Sequence, residues 1–166
     1  FPFDNELYNP KSYLLAGGNM LISAWKLLYN IQQNFQQFYL NFINPVTNEN
    51  TDFIGAFGQN GFPDFEIDPN KIPLPVWNDA LKYVNKFEPI NGAEAIYLYD
   101  SATNDPDWEN AVCAQRFYGD FKVYILGFPL YYIQQSSAAL ILSWILQEFG
   151  EETQIEQHLS LIHILT

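Results

Sequence analysis

The chain has 166 residues, 48% hydrophobic and 17% aromatic, which gives enough apolar mass for one core and too much for wholesale disorder. Seven Lys and Arg stand against nineteen Asp and Glu, a formal charge of −12; with no basic cluster to relieve it, that field excludes a nucleic-acid partner and disfavours an anionic membrane surface. No run approaches the roughly 18 apolar residues of a membrane helix, so no membrane insertion is expected, and the single cysteine, Cys113, rules out an intrachain disulfide or a cysteine-based zinc cluster.

The chain begins at Phe1 without a signal segment, so an N-terminal part is expected to be missing. Tyr13, Leu14 and Leu15 close an apolar stretch that Ala16-Gly17-Gly18 ends. Asn19–Ala24 (NMLISA) has the short, apolar, turn-bounded character of a buried strand. Leu27, Leu28, Ile31, Phe35, Phe38, Tyr39 and Phe42 follow the three-and-four spacing of one helical face, which Asn44-Pro45 stops. Thr47 to Pro75 is rich in Gly, Pro, Asn and Asp, which predicts a long irregular excursion, a kind of segment often functional. A brief helix is expected through Trp77, Leu81 and Val84. Ala95–Tyr99 reads as a strand, and Ala111–Phe117 with Phe121–Leu126 as a hairpin around Tyr118-Gly119-Asp120. Gly127-Phe128-Pro129 breaks the second strand. A final helix carries Ile133, Leu140, Ile141, Trp144, Ile145 and Phe149, and Gly150 ends it.

Strand–helix alternation at both ends, with a hairpin between, predicts an α/β fold: a helix-covered mixed, largely parallel sheet, incomplete at its N-terminus. Residues 1–157 form the single truncated domain on this reading. Leu159-Ser160-Leu161-Ile162-His163-Ile164 resembles the translation of a transposon end used to prepare sequencing libraries, which makes 158–166 a non-native tail and the chain a translated metagenomic fragment.

The run LLAGGNMLISAWKLL (Leu14–Leu28) resembles the central strand and elbow of class I glutamine amidotransferase-like domains. The run AIYLYDSATNDPDWENAVCAQRFYGDFKVYILGFPLYYI (Ala95–Ile133) resembles their closing segment in large secreted multidomain bacterial proteins. The resemblance covers Leu14 to Gly150 and implies a flavodoxin-like fold and a secreted setting; the members in question have no clearly assigned activity. Amidotransferase chemistry needs a cysteine on a glycine-flanked turn and a His oriented by an acid. Here the turn is Ile22-Ser23-Ala24-Trp25, and the only histidines, His158 and His163, lie in the tail. Ser23 therefore has no credible base, and no catalytic residue is assigned.

Open α/β sheets bind ligands at the carboxyl ends of their strands. That places the expected ligand site at Ser23, Trp25, Tyr99, Asp100, Ser101 and Phe128. Asp64, Glu66 and Asp68 alternate, so an extended chain puts three carboxylates on one face, as a hard cation wants. A second acidic loop carries Asp105 and Asp107. Neither has the spacing of a twelve-residue calcium loop, and turn chemistry explains both without a metal. Cys113, flanked by small residues, reads as a core side chain. Trp25, Phe57, Phe62, Phe65, Trp77, Trp108, Phe128, Tyr131 and Tyr132 lie in or beside predicted loops, where rings stack on sugars or anchor the loop to the core.

The function expected from these features is that of a non-catalytic accessory or interaction domain of a larger secreted or cell-surface protein, meeting other domains of the same polypeptide or surface partners. The alternatives are a carbohydrate-binding module using the loop aromatics, or a degenerate or incomplete hydrolase or amidotransferase-like enzyme. No cofactor is expected, and the location expected is extracellular or on the cell surface.

Overall fold

The structure, a computed structural model, describes residues 10–23, 25–26 and 31–151. Eight strands and three helices follow in chain order: α1 (Pro10–Leu15), β1 (Met20–Ser23), α2 (Gln33–Phe35, continuing as a π-helical turn over Gln36–Leu40), β2 (Phe42–Thr47), β3 (Phe53–Gly58), β4 (Phe65–Glu66), β5 (Asn85–Pro89), β6 (Glu94–Ser101), β7 (Val112–Tyr118), β8 (Lys122–Leu126) and α3 (Gln135–Phe149). Six strands form one curled sheet in the order β1-β8-β7-β6-β3-β4, and β2 pairs with β5 in a second, smaller one.

Only β1–β8 is parallel among these pairs; every other pair is antiparallel. The expected helix-covered, largely parallel flavodoxin-like sheet is therefore incorrect, and so is the amidotransferase-like resemblance that implied it. The physical reason lies in the chain between Thr47 and Pro89. It spends its backbone hydrogen bonds on strands and tight turns where the doubly wound fold needs crossover helices. Helix covers one face of the large sheet only in part, through α3. The other face meets the β2–β5 sheet, with α1 and the π-turn.

β8 shows why two faces are buried. In Lys122-Val-Tyr-Ile-Leu126, Val123 and Ile125 point to one core, with Leu14, Leu40, Phe42 and Phe87. Tyr124 and Leu126 point to the other, with Phe53, Tyr97, Phe128, Ile141 and Ile145. A continuous apolar run is what a strand covered on both sides requires. Ile141 and Ile145, one helical turn apart, are the buried seam of α3. Gly150 (φ 82°) ends that helix, its N–H donating to Gln147 O and the Glu151 N–H to Leu146 O.

Three local readings are corrected. The helix drawn to Phe42 stops at Leu40, because Asn41 turns left-handed (φ 58°) and its N–H closes on Gln36 O. Buried Gln115 then donates to the Leu40 and Asn41 carbonyls that this ending leaves open. Leu27 and Leu28 lie outside the described residues. Asn44-Pro45 falls inside β2 at a register shift, where a missing N–H breaks no ladder bond. The stretch expected to be irregular contains β3 and β4. Their glycines mark close approach rather than a loop, since a Cβ at Gly55 would sit 2.3 Å from Phe65 O and one at Gly58 1.8 Å from Phe62 O. The helix expected through Trp77, Leu81 and Val84 is a 3-10 turn (Pro75–Trp77) followed by left-handed Asn78 and Asp79 and a bridge from Leu81 to Phe53.

Candidate functional site

Because β8 runs antiparallel to β7, and β7 to β6, strands β1, β8 and β6 point the same way. Their carboxyl ends, Ser23, Leu126 and Ser101, gather at one edge, joined there by the start of antiparallel β3. This edge holds the six residues expected to bind ligand, in two groups with different fates.

The first group is a closed polar knot. Asp52, 2% exposed, precedes β3. It accepts from Ser101 Oγ (2.8 and 2.9 Å), Thr103 N (3.1 Å) and Thr103 Oγ1 (2.8 Å). Ser101 Oγ accepts in turn from Asp105 N (3.0 Å), and the Ser101 N–H donates to Glu109 Oε2 (2.8 Å). Tyr99 is fully buried, and Asn48 Nδ2 donates to its hydroxyl (3.0 Å). Burial, then the Asp52 charge, raises its pKa far above the ordinary phenol. Tyr99 and Ser101 thus fasten β6 to β3 and offer a ligand nothing. Asp100 faces outward, half-buried. Burial first, then Glu109, Glu66, Asp64 and Asp52, raise its pKa above the usual carboxylate range. A raised folded pKa means this carboxylate supports the fold fully below the ordinary Asp value of about 3.9 and detracts as pH rises through the raised one. Asp100→Asn is expected to raise Tm at pH 7 and to be neutral near pH ~3; an equal shift at both pH values would contradict the sign.

The second group surrounds the end of β1. Ser23 Oγ donates to Phe128 O (3.0 Å) and accepts from Leu130 N (3.0 Å). Both hydrogen-bonding roles of the hydroxyl go to clamping the turn after β8. No histidine stands among the described residues; His158 and His163 lie outside them. Ser23→Ala should cost about 1 kcal/mol in urea unfolding, and a fluorophosphonate probe should leave the wild-type serine unlabelled; rapid labelling would contradict the clamp. Phe128 is 0% exposed in the core, against Phe53, Phe65 and Tyr97.

Trp25 alone among the six opens onto a larger surface. Its ring centroid lies 5.0 Å from Tyr132, 5.9 Å from Trp77 and 6.1 Å from Tyr83, and Tyr132 lies 5.1 Å from Tyr131. Most of these contacts are edge-to-face, the favoured arrangement of ring quadrupoles. Trp77 is in the core and anchors the row; Trp25, Tyr83 and Tyr132 are half-buried; Tyr131 is 70% exposed, and Leu74 and Val76, three and one residues before Trp77, are 50% and 75% exposed. Backbone bonds hold the row: Trp25 Nε1 donates to Lys82 O, Lys26 N to Tyr83 O (3.3 Å) and Asp68 N to Tyr132 O (2.7 Å). Lys26 (φ 61°) and Tyr83 (φ 65°) are both left-handed, a conformation costing roughly 1–2 kcal/mol for such side chains. The Lys26 ammonium sits 3.3 Å from the Tyr83 ring centroid, with Lys82 Nζ at 5.8 Å. Strain of this kind persists only where the surroundings over-determine it, and it collects at binding sites.

The remaining candidates are structural. Asp64 Oδ1 accepts from Gly58 N (2.7 Å), Asp68 caps the turn at Asn70 and pairs with Lys71, and Asp105 Oδ1 accepts from Asp107 N (2.9 Å). Glu66 is exposed. Among the described residues no group of three or more His, Cys, Asp or Glu could hold a metal ion. Cys113 is fully buried, and burial raises its thiol pKa well above the ordinary value. Phe62, Phe65 and Trp108 are core residues, and Phe57 is half-buried on β3. An open depression of about 400 Å³ is lined by Ile31, Gln33, Gln36, Gln37, Ile43, Asn44 and Pro45, with no titratable group. No helix among the described residues is long and apolar enough to cross a membrane.

Sequence reasoning missed Tyr83, Lys26, Lys82, Asn48 and Asp52. Alternating or helical spacing flags none of them, since Asp52 meets Ser101 across 49 residues, Asn48 meets Tyr99 across 51 and Trp25 meets Lys82 across 57. No family model, curated protein or solved structure matches the chain. The secreted setting, which came with the amidotransferase-like resemblance, loses that support too.

Proposed function

We propose that this chain is a non-catalytic interaction domain whose working surface is the aromatic row from Tyr131 to Tyr83, and that its ligand is a carbohydrate. The observation that carries the reading is the contrast within one sheet edge. Every reactive hydroxyl there is consumed internally, Ser23 on the Phe128–Leu130 turn and Ser101 on Asp52. The rings of Trp25, Tyr132 and Tyr131, by contrast, remain partly or largely open. Rings on a backbone-fixed frame present area at little entropic cost, and a sugar's C–H face is the surface they suit. A protein partner, including another domain of the same polypeptide, is the second reading; exposed Leu74 and Val76 favour it.

A glycan array tests the first reading. Wild type and Phe38→Ala, which truncates an exposed ring on the π-turn, should give the same positive spots, and Tyr131→Ala should lose them. Tyr131 is exposed enough that its truncation leaves the fold intact. A blank array, or one in which Phe38→Ala loses the signal and Tyr131→Ala keeps it, overturns the reading.

A further inference from the structure

The ring row carries a second feature that its proposed carbohydrate role does not use. The chain has only seven basic residues against nineteen acidic ones, so acids are plentiful for pairing. Lys71 pairs with Asp68, and Arg116 with Glu94. Lys86 and Lys122 donate to the carbonyls of Asp107 and Glu148. Among the described residues, neither Lys26 nor Lys82 forms an ion pair or donates a side-chain hydrogen bond; both ammonium groups stand by the ring of Tyr83. On a chain of charge −12, two cations without a carboxylate partner stand against one ring of the row. They adjoin the rings already assigned to ligand, and Lys26 is held there in a strained backbone conformation.

We infer that the row takes an acidic saccharide, a uronic-acid polymer whose sugar faces lie on Trp25, Tyr132 and Tyr131 while a carboxylate reaches Lys26 and Lys82. This rests on the carbohydrate reading above. An acidic peptide has the same charge, but peptides are recognised through free main-chain hydrogen-bonding groups or a groove. Around the row four such groups are spent: Tyr83 O on Lys26 N, Lys82 O on Trp25 Nε1, Tyr132 O on Asp68 N and Leu130 N on Ser23 Oγ. Open ring faces and two ammonium groups are the row's main features. A carboxylate brought to a cation there forms a charge-assisted contact, the stronger class of hydrogen bond, in a field that elsewhere repels it.

Three polymers separate sugar from charge: polygalacturonate, its fully methyl-esterified form, and poly-L-glutamate. Binding is measured by isothermal titration at low salt for wild type, Tyr131→Ala, Lys82→Gln and the Lys26→Gln/Lys82→Gln pair, each checked by near-ultraviolet circular dichroism. Wild type should bind polygalacturonate roughly tenfold more tightly than either comparator. The lysine pair should lower that affinity to the level of the methyl ester, and Tyr131→Ala should weaken both sugar polymers. Lys82→Gln alone, free of the strained position, should give an intermediate loss, and it decides the matter if the double variant misfolds. Equal affinity for the ester, or no effect of the lysine substitutions, overturns the acidic preference and leaves the carbohydrate reading standing. Poly-L-glutamate bound as tightly as the uronate overturns the preference in favour of a peptide partner. No binding to any of the three overturns it outright, and with a blank array the carbohydrate reading falls as well.

Discussion

Phe128→Ala is expected to lower the stability of the domain by about 3–5 kcal/mol, the usual cost of truncating a fully buried aromatic. The ring is 0% exposed and lies 5.0 Å from Phe65, 5.6 Å from Phe53 and 6.0 Å from Tyr97, centroid to centroid. It plugs the point where β8 leaves the sheet. The turn behind it cannot move up to fill the space, because Ser23 pins the Phe128 carbonyl and the Leu130 N–H. Gly127 is pressed against backbone as well: a Cβ there would stand 2.4 Å from Asn85 O. A cavity that cannot collapse carries the higher end of the cost. For a domain whose total stability is in the range of about 5–15 kcal/mol, that loss is a large share. Urea unfolding should show a lower midpoint with an unchanged slope. A near-silent substitution would mean that the ring lies at the surface, as the sequence alone implied for a ligand residue.

Asp52→Ala should cost about 2–3 kcal/mol, by leaving donors without their acceptor. Ser101 Oγ is the decisive one. It accepts from Asp105 N, so its own proton is committed to Asp52, and the hydroxyl is buried with β6. Thr103 is exposed, and water replaces the aspartate for its two donors, which keeps the total below the sum of three lost bonds. Asp52→Asn retains one carbonyl acceptor in the same place and should lose less than half as much. If alanine and asparagine cost the same, the carboxylate's paired acceptance is not what ties β3 to β6.

The knot and the ring row meet through the backbone: Asp52 N donates to Leu81 O (3.1 Å) and Tyr83 N to Asn48 O (2.7 Å). Asp52 fastens β3 to β6 from within, whereas the ring row hangs from β1, the turn after β8 and the chain between Pro75 and Tyr83. Phe128 sits in that same turn, so the two stability variants stay out of the binding tests, which use Tyr131 and the two lysines.

Several elements were legible in the sequence. β6, the β7–β8 hairpin and α3 each declare themselves locally, by an apolar run, by Tyr118-Gly119-Asp120 at the turn, and by a seam closing on Gly150. What local pattern does not carry is strand direction, and a hairpin-built sheet was therefore mistaken for a parallel one. β3 was hidden because Gly55 and Gly58 look like loop residues, when they are small so that the backbone of Phe62 and Phe65 can approach. β2 was hidden because Phe42 continues the helical spacing of Phe35, Phe38 and Tyr39 after Asn41 has already ended the helix. At the candidate site, Ser23 and Trp25 were visible as the end of a strand. Tyr83, Lys26 and Lys82 were not, because left-handed backbone at a lysine or a tyrosine has no compositional signature and their meeting is set by the tertiary fold.

The row's role as a binding surface is tested most directly by the indole N–H resonances of the four tryptophans, followed as polygalacturonate is added. Trp25 belongs to the row and Trp77 anchors it, whereas Trp108 meets Tyr99 at a tilt and Trp144 meets Phe62 edge-on, outside the row. The account predicts that the Trp25 and Trp77 signals move with added polymer and those of Trp108 and Trp144 stay in place. Four stationary signals, or movement confined to Trp108 and Trp144, would contradict it.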